Sequence, residues 1–435
     1  MNKRIFRLAV PNIISNISVP LAGMIDLALM GYLKDDAINY VSAIALGGMI
    51  FNFVYMSFVF LRMTTTGFTA QAYGRRNFKE SINTLSRSLF VAICAGLLII
   101  ALQIPIEKIA FSLINTENEI KVLVKQYFHI RVWAAPATIG LYSILGWFIG
   151  MQNAKSPMVV SILVNILNLG FSALFILGFG MKSEGVALGT MLAQYCGFFS
   201  AIFILIVYYK KLFKYWSLKQ MRKLKDLFAF FNVSKDILIR TLCIISVFTF
   251  ITSQSAAINK NILAVNSLLL QFLLFFSYMI DGFAYAAEAL VGKYIGAKDY
   301  ISLKVVVKRL VIFGGCLALS FSLIYLIAQE KILYILTNET QIIELAKEYM
   351  IWTIILPITA FGAFLWDGIY IGATASKAMR NAMLISVLCV FAPVYIISYP
   401  IIGNHGLWLS LILFMLSRGI LLQILARNAI FKAIH

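Results

Sequence analysis

The sequence predicts an all-α polytopic membrane protein, with twelve transmembrane helices in two six-helix pseudo-symmetric lobes. Three observations predict it. The 435 residues are 61% apolar and only 13% charged, which leaves too little polar surface to cover a soluble globule. Twelve apolar segments reach the roughly 20 residues that a helix needs to cross a bilayer. Short stretches of the first half also recur in the second at a nearly constant offset.

The spans run over 8–31, 41–62, 84–106, 127–150, 157–180 and 185–208 in the first half, then 236–258, 262–292, 303–328, 349–373, 379–401 and 405–426 in the second. Several hold Pro or Gly, which membrane helices tolerate when neighbours re-satisfy the freed backbone groups. The five cysteines are scattered singly, without metal or disulfide spacing, and read as small buried hydrophobes. No cleavable leader precedes the first span, so Met1 is expected to begin the mature chain.

Charge sets the expected orientation. With both termini inside, the inner segments together with the inner ends of their spans carry 25 Lys and Arg and the outer loops 8, while Arg62, Arg131, Arg240 and Arg418 are counted within spans. Acidic residues distribute the other way, 10 outside and 4 inside. The positive-inside rule is satisfied, and topology accounts for the net charge of +19. No nucleic-acid partner is expected, because the basic residues recur loop by loop and form no reader motif.

The repeat organises the chain. "TAQAYGRRN" (69–77) aligns with "VGKYIGAKD" (291–299), and "GMQNAK" (150–155) with "GATASK" (372–377). Pro136 meets Pro357 and Gly185 meets Gly406, all at offsets of 221–222. This predicts an N-terminal lobe over 1–209, a linker over 210–235 and a C-terminal lobe over 236–435. Parallel repeats of this kind usually serve alternating access, with substrate held between the lobes. Within "KKLFKYWSLKQMRKLKDLFAFF" (210–231), Phe213, Trp216, Leu224, Phe228 and Phe231 recur with Lys and Arg between them. That pattern predicts a basic amphipathic helix on the anionic inner leaflet.

Four carboxylates fall inside spans: Asp26, Asp281, Glu288 and Asp367. Intramembrane acids are functional candidates unless they neutralise an arginine. Glu288 lies near the inner end of its helix, where Arg240 is expected to reach it. Asp281 and Asp367 lie in the inner third, where Arg62 is expected to pair with one of them. Asp26 lies ~27 Å above the inner start of its span, at ~1.5 Å per residue, with only Arg131 at a comparable depth. An acid without a committed partner is a candidate to take up a proton and later release it. Asn165, Asn168 and Ser172 form a polar stripe on an apolar helix, and Thr190 reaches the depth of Ser172. A hydrogen-bonding cluster around Asp26 is therefore expected, although helix-to-helix adhesion would use the same residues. Met24, Met49, Phe51, Met56, Phe275, Tyr278 and Met279 supply the aromatic and thioether surface expected of a cavity for amphipathic substrates.

The segments "PNIISNISVPLAGMIDLALMGYL" (11–33), "FLRMTTTGFTAQAYGRRN" (60–77), "GWFIGMQNAKSPM" (146–158), "LAVNSLLLQF" (263–272), "DGFAYAAEALVGKYIGAKD" (281–299) and "WDGIYIGAT" (366–374) carry a resemblance. The chain resembles the multidrug and toxic compound extrusion (MATE) transporters, in particular their DinF-like branch. The resemblance implies that Asp26 matches the acid that binds the coupling cation, and Pro11 the proline where the first helix bends. Asn168 and Thr190 match the family's span-5 Asn and span-6 Thr. Many relatives carry a second acid where this chain has Ser172, which weakens a sodium site there and favours a proton. Asp367 resembles an acid of a second sodium site in other relatives, but span 7 offers only Asp236 at its start.

The reading is thus a monomeric, proton- or sodium-coupled exporter of small amphipathic compounds. It sits in the bacterial cytoplasmic membrane with both termini inside, and needs no cofactor and no metal centre. A flippase for a lipid-linked saccharide is the alternative, and would require several basic residues in the interlobe cavity, where the chain offers chiefly Arg62. A membrane enzyme is more remote. Three scattered histidines, no nucleophile elbow and no Walker loop leave it without machinery.

Overall fold

The computed structural model describes residues 1–31, 37–113, 117–216 and 224–432, and the side chains at 19, 21–31, 37–38, 113 and 224–225 also lie outside the described set. Everything regular among the described residues is helical. The first half contains α1 (Asn2–Gly31), α2 (Ala37–Met56), α3 (Phe60–Gly74), α4 (Phe78–Ala101), α5 (Gln103–Leu113), α6 (Asn118–Arg131), α7 (Ala135–Gly150), α8 (Lys155–Ala173) and α9 (Ser183–Tyr209). The second contains α10 (Leu224–Ile258), α11 (Lys260–Gly296), α12 (Tyr300–Leu336), α13 (Thr340–Ala373), α14 (Ser376–Ile385), α15 (Ala392–Ile402) and α16 (Asn404–Ala426).

Eleven stretches among the described residues are long and apolar enough to cross a membrane. The pairs α2–α3, α6–α7 and α14–α15 each make one such stretch, and α1 covers the expected first span. In the second half the helices outrun their apolar segments, α11 and α12 reaching 37 residues each. Hydropathy marks where apolar side chains stop. The backbone ladder continues until a cap ends it.

The chain divides into two compact units, one of residues 14–229 and the other of residues 1–13 with 230–435. The division at 229/230 falls within the expected linker 210–235, while the first thirteen residues group with the second half. Packing explains this grouping. The Phe6 ring lies 5.9 Å from Phe283 and 5.0 Å from Phe313, and Arg4 donates to the Tyr294 hydroxyl at 3.0 Å. Gly282 leaves room for Ile13 and the Ala9 carbonyl, which a Cβ there would strike. The unit boundary thus falls two residues beyond Pro11, which is buried within an unbroken α1. Its ring removes the backbone donor that would bond Arg7.

The linker also differs from expectation. Residues Lys210–Tyr215 form a 3-10 turn, and Trp216 is extended. Residues 217–223 lie outside the described set, and α10 begins at Leu224. Asp226 accepts from Arg87 at 2.7 Å, and Arg87 also holds Glu80 at 2.8 Å. This buried arginine fastens the start of α10 to α4 within the first unit.

Each half repeats the same local devices. Arg76 and Lys298, 222 residues apart, take left-handed φ values of 56° and 55°. Gln152 and Thr374, also 222 apart, do so at 64° and 54°. Asn77 caps α4 by accepting from Glu80 N, and Asp299 caps α12 by accepting from Ser302 N, both at 3.0 Å. Gly146 in α7 lies against the Arg62 carbonyl of α3, and Gly368 in α13 lies against the Ala284 carbonyl of α11. A side chain at either position would hold the two backbones apart.

Candidate functional site

Polar contacts in the first unit follow the stripe on α8. Asn165 Nδ2 donates to Ser18 Oγ at 2.8 Å, joining α8 to α1. Ser18 in turn donates to the Ser15 carbonyl at 2.7 Å. Asn168 Nδ2 donates to Thr190 Oγ1 at 2.9 Å, and Thr190 donates to the Val186 carbonyl at 2.8 Å. Ser172 is fully buried, and its hydroxyl has no hydrogen-bond partner among the described residues. Gly189 of α9 lies so close that a Cβ there would come within 3.0 Å of the Ser172 hydroxyl. Immediately after α8 the helix widens into a π turn over Leu174–Gly178, a feature frequent at functional sites.

Asn165, Asn168, Ser172 and Thr190 thus sit on the facing surfaces of α8 and α9, with Ser18 of α1 added. Sequence reasoning missed Ser18, because a lone serine in an apolar span carries no signal until its partner is known. The backbone of Asp26 lies in α1, eight residues beyond Ser18. The side chains of Asp26 and Met24 lie outside the described residues.

Burial corrects the expected cavity wall at one position. Phe51 is 2% exposed, stacked on Phe128 at 5.1 Å between ring centroids and overlain by the Arg131 guanidinium at 5.7 Å. It belongs to the core of the first unit. Met49, Met56 and Phe275 are exposed, and Tyr278 and Met279 are half-buried.

In the second unit the ionic pairing differs from the expected one. Arg240, which the sequence offered to Glu288, donates its Nη2 to Asp367 Oδ2. Arg418 Nη2 reaches the same oxygen at 2.7 Å. Asp367, one of the two acids to which Arg62 was offered, is held instead by α10 and α16. Arg62, Asp281 and Glu288 are none of them free charges, and Glu288 is 1% exposed. Asp236, one turn before Arg240, accepts from Arg380 at 2.6 Å and from Ser376 at 2.9 Å.

A second polar network went unread in the sequence. Asn266 and Asn404 exchange amide hydrogen bonds at 2.7 and 3.1 Å, and Asn266 also donates to Ser255 at 2.7 Å. Trp408 Nε1 donates to Asn266 Oδ1 at 2.8 Å. All four residues are buried, and the network ties α10, α11 and α16 together. Only the i, i+4 spacing of Asn404 and Trp408 hinted at it.

Comparison with known proteins gives one consistent result. The sequence profile of the MatE family matches residues 11–174 and 237–396. The chain is 36% identical over 431 residues to "DNA damage-inducible protein F" of Escherichia coli (strain K12), covering 98% of this chain and 92% of that protein. It is 24% identical to "Probable multidrug resistance protein NorM" of Thermotoga maritima, over 97% of this chain and 91% of that one. Its fold superposes with a TM-score of 0.88 on the outward-facing conformation of a multidrug resistance MATE family transporter of the MOP superfamily, at 18% identity. That superposition covers 99% of this chain and 96% of that one.

Proposed function

The chain belongs to the MatE family, whose members are transporters rather than enzymes, and from that premise we propose that it is a proton-coupled antiporter exporting amphipathic organic compounds from the cytoplasm. It works as a monomer in the bacterial inner membrane, with both termini and the 210–235 segment on the cytoplasmic side, as the basic residues argue. The relatives named for multidrug resistance support this direction and substrate class.

The observation that carries the coupling mechanism is the Asn165–Ser18 bond. It sets the helix bearing Asp26 against the polar face of α8, beside the Asn168–Thr190 pair. Asp26 takes a proton from outside, which shifts α1 toward a form bent about Pro11 and helps to expel substrate. Lobe closure on the outside then delivers the proton inward. A ligand drives such an equilibrium only through its differential affinity for the two states, and a proton on Asp26 meets that requirement.

Two features favour a proton over sodium. Ser172 supplies no second carboxylate beside Asn168. In the second unit Asp367 is already shared by two guanidiniums, so an incoming cation would meet excess positive charge. A lipid-linked saccharide as cargo is less well supported, since its pyrophosphate calls for several free cationic side chains, and Arg62 is buried and engaged.

Reconstituted vesicles test the reading directly. An imposed inward proton gradient should drive uphill export of a fluorescent organic cation, and a sodium gradient at fixed pH should not. Export driven by sodium alone would overturn the proton assignment. Absence of export under both gradients would overturn the antiporter.

A further inference from the structure

Arg240, Asp367 and Arg418 together hold one positive charge in excess. Their residues are 8%, 4% and 2% exposed, on α10, α13 and α16. Both arginines spend an Nη2 on the same oxygen, Asp367 Oδ2. The Nε of each arginine and the second oxygen, Asp367 Oδ1, are buried without a hydrogen-bond partner among the described residues. Arg418 Nη1 reaches the sulfur of Met415 at 3.3 Å, a weak acceptor. The Arg418 guanidinium also lies 5.3 Å from the Phe414 ring centroid.

Among the described residues, Asp367 is the acid that the ion pairs give to either arginine. The charged groups acting on Arg418 are Asp367 and Arg240. Asp236, on the same helix as Arg240, is matched by Arg380. Arginine does not shed its charge by losing a proton, and an uncompensated buried charge is costly. The residues 222 positions before these three are Ser18, Leu145 and Cys196, so this group is peculiar to the second half.

We propose that the Arg240–Asp367–Arg418 group is an anion site. It takes one singly charged anion at the unpaired Nε–H groups of the two arginines. The ligand is an acceptor of N–H hydrogen bonds, either chloride or the carboxylate of an amphipathic molecule. Asp367 spaces the two guanidiniums and limits the site to a single negative charge. The carboxylate source rests on the export reading, and the chloride source does not.

Thermal unfolding of the full chain in lipid nanodiscs tests the site without transport. Chloride is titrated against gluconate at constant ionic strength. Chloride should stabilise the protein saturably, and Arg418→Gln and Arg240→Gln should each weaken its apparent affinity at least tenfold. Asp367→Asn should tighten it about tenfold, because the competing negative charge is gone. A merely structural ion cluster predicts no such gain, so Asp367→Asn decides the matter even where an arginine variant fails to fold. In a second arm, 1-pyrenebutyrate should compete with chloride if a substrate headgroup uses the site, and its neutral methylamide should not. Chloride dependence without competition identifies the free ion as the ligand. Absence of any anion-specific effect, or equal effects in wild type and Asp367→Asn, overturns the site.

Discussion

Ser18 of α1 and Arg240 of α10 stand 222 residues apart, and at each of them the first helix of its half is bonded through a side chain to a later one. Ser18 accepts from Asn165 at 2.8 Å, and Arg240 donates to Asp367. The same position in the repeat carries a neutral contact in one half and an ionic contact in the other. The first half retains an acid at Asp26, and the residue 222 positions later is Phe248. At these positions the repeat has thus diverged, from a mid-span acid and a neutral contact in one half to Phe248 and an ionic contact in the other.

The Ser18–Asn165 bond should be weak in stability and strong in function. Interhelical hydrogen bonds in membranes average about 0.6 kcal/mol, so Ser18→Ala and Asn165→Ala should each fold. Both should slow uphill export severalfold, because α1 loses its registration on α8. A double-mutant cycle on export rate checks this. The pair should cost little more than either change alone, whereas fully additive losses would mean that the bond registers nothing.

Gly146 and Gly368 should resist substitution equally. A Cβ at either would meet a backbone carbonyl of the partner helix, Arg62 or Ala284, and backbone does not yield as a side-chain tip does. Gly146→Val and Gly368→Val should each destabilise by about 1–3 kcal/mol or more, the usual range for overpacking. Gly170 meets nothing within 4 Å, and Gly170→Ala should hold or raise stability by up to about 1 kcal/mol through helix propensity. Unfolding midpoints in one detergent check all three. Equal tolerance at all three positions would contradict the close helix contacts.

Asp299 gives the α12 cap a pH dependence. The backbone N–H and the hydroxyl of Ser302 hold its carboxyl below the usual carboxylate range. A depressed folded-state pKa contributes stability above the unfolded value, and that contribution is lost as pH falls through the folded one. Asp299→Ala should cost about 1 kcal/mol at neutral pH, with the penalty shrinking in acid. Asp299→Asn should keep most of the cap and lose this acid sensitivity. Unfolding midpoints from neutral pH to below the carboxylate range check it, and an Asp299→Ala penalty that is flat with pH would contradict it.

Much of the architecture was legible because it depends on local signals. Apolar runs mark spans, and the 222-residue offset survives where a left-handed turn or a close backbone contact restricts the residue, as at Gln152 and Thr374 or Gly146 and Gly368. What was not legible depends on partners distant in sequence. Arg240 pairs across 127 residues with Asp367, whereas depth alone offered it to Glu288. Depth along a helix ranks candidates, but the rotational face decides between them. Phe51 failed for the same reason, since it points inward to Phe128. The transfer of residues 1–13 to the second unit follows from Phe6 meeting Phe283 and Phe313, contacts that no periodicity in α1 announces. The amphipathic linker reading did not foresee the Arg87–Asp226 bond near the start of α10.

Asp26→Asn is the decisive test of coupling. The substitution keeps volume and removes the cost of holding a carboxylate deep in an apolar span, about 2.5–3.5 kcal/mol on insertion scales. It should therefore insert and fold at least as well as wild type. Substrate should still bind, because an amphipathic compound is held mainly by apolar surface. Uphill export should be abolished, since an amide has no charge to change and cannot link the proton gradient to the conformational equilibrium. Downhill exchange should persist. The measurement is export into vesicles at matched protein levels and a fixed pH gradient, with substrate binding followed separately. Ser172→Asp adds a carboxylate two turns above Asn165 on the same helix, and should give sodium a hold that wild type does not provide. Uphill export by Asp26→Asn equal to wild type would make Asp26 a structural residue and leave the coupling group elsewhere.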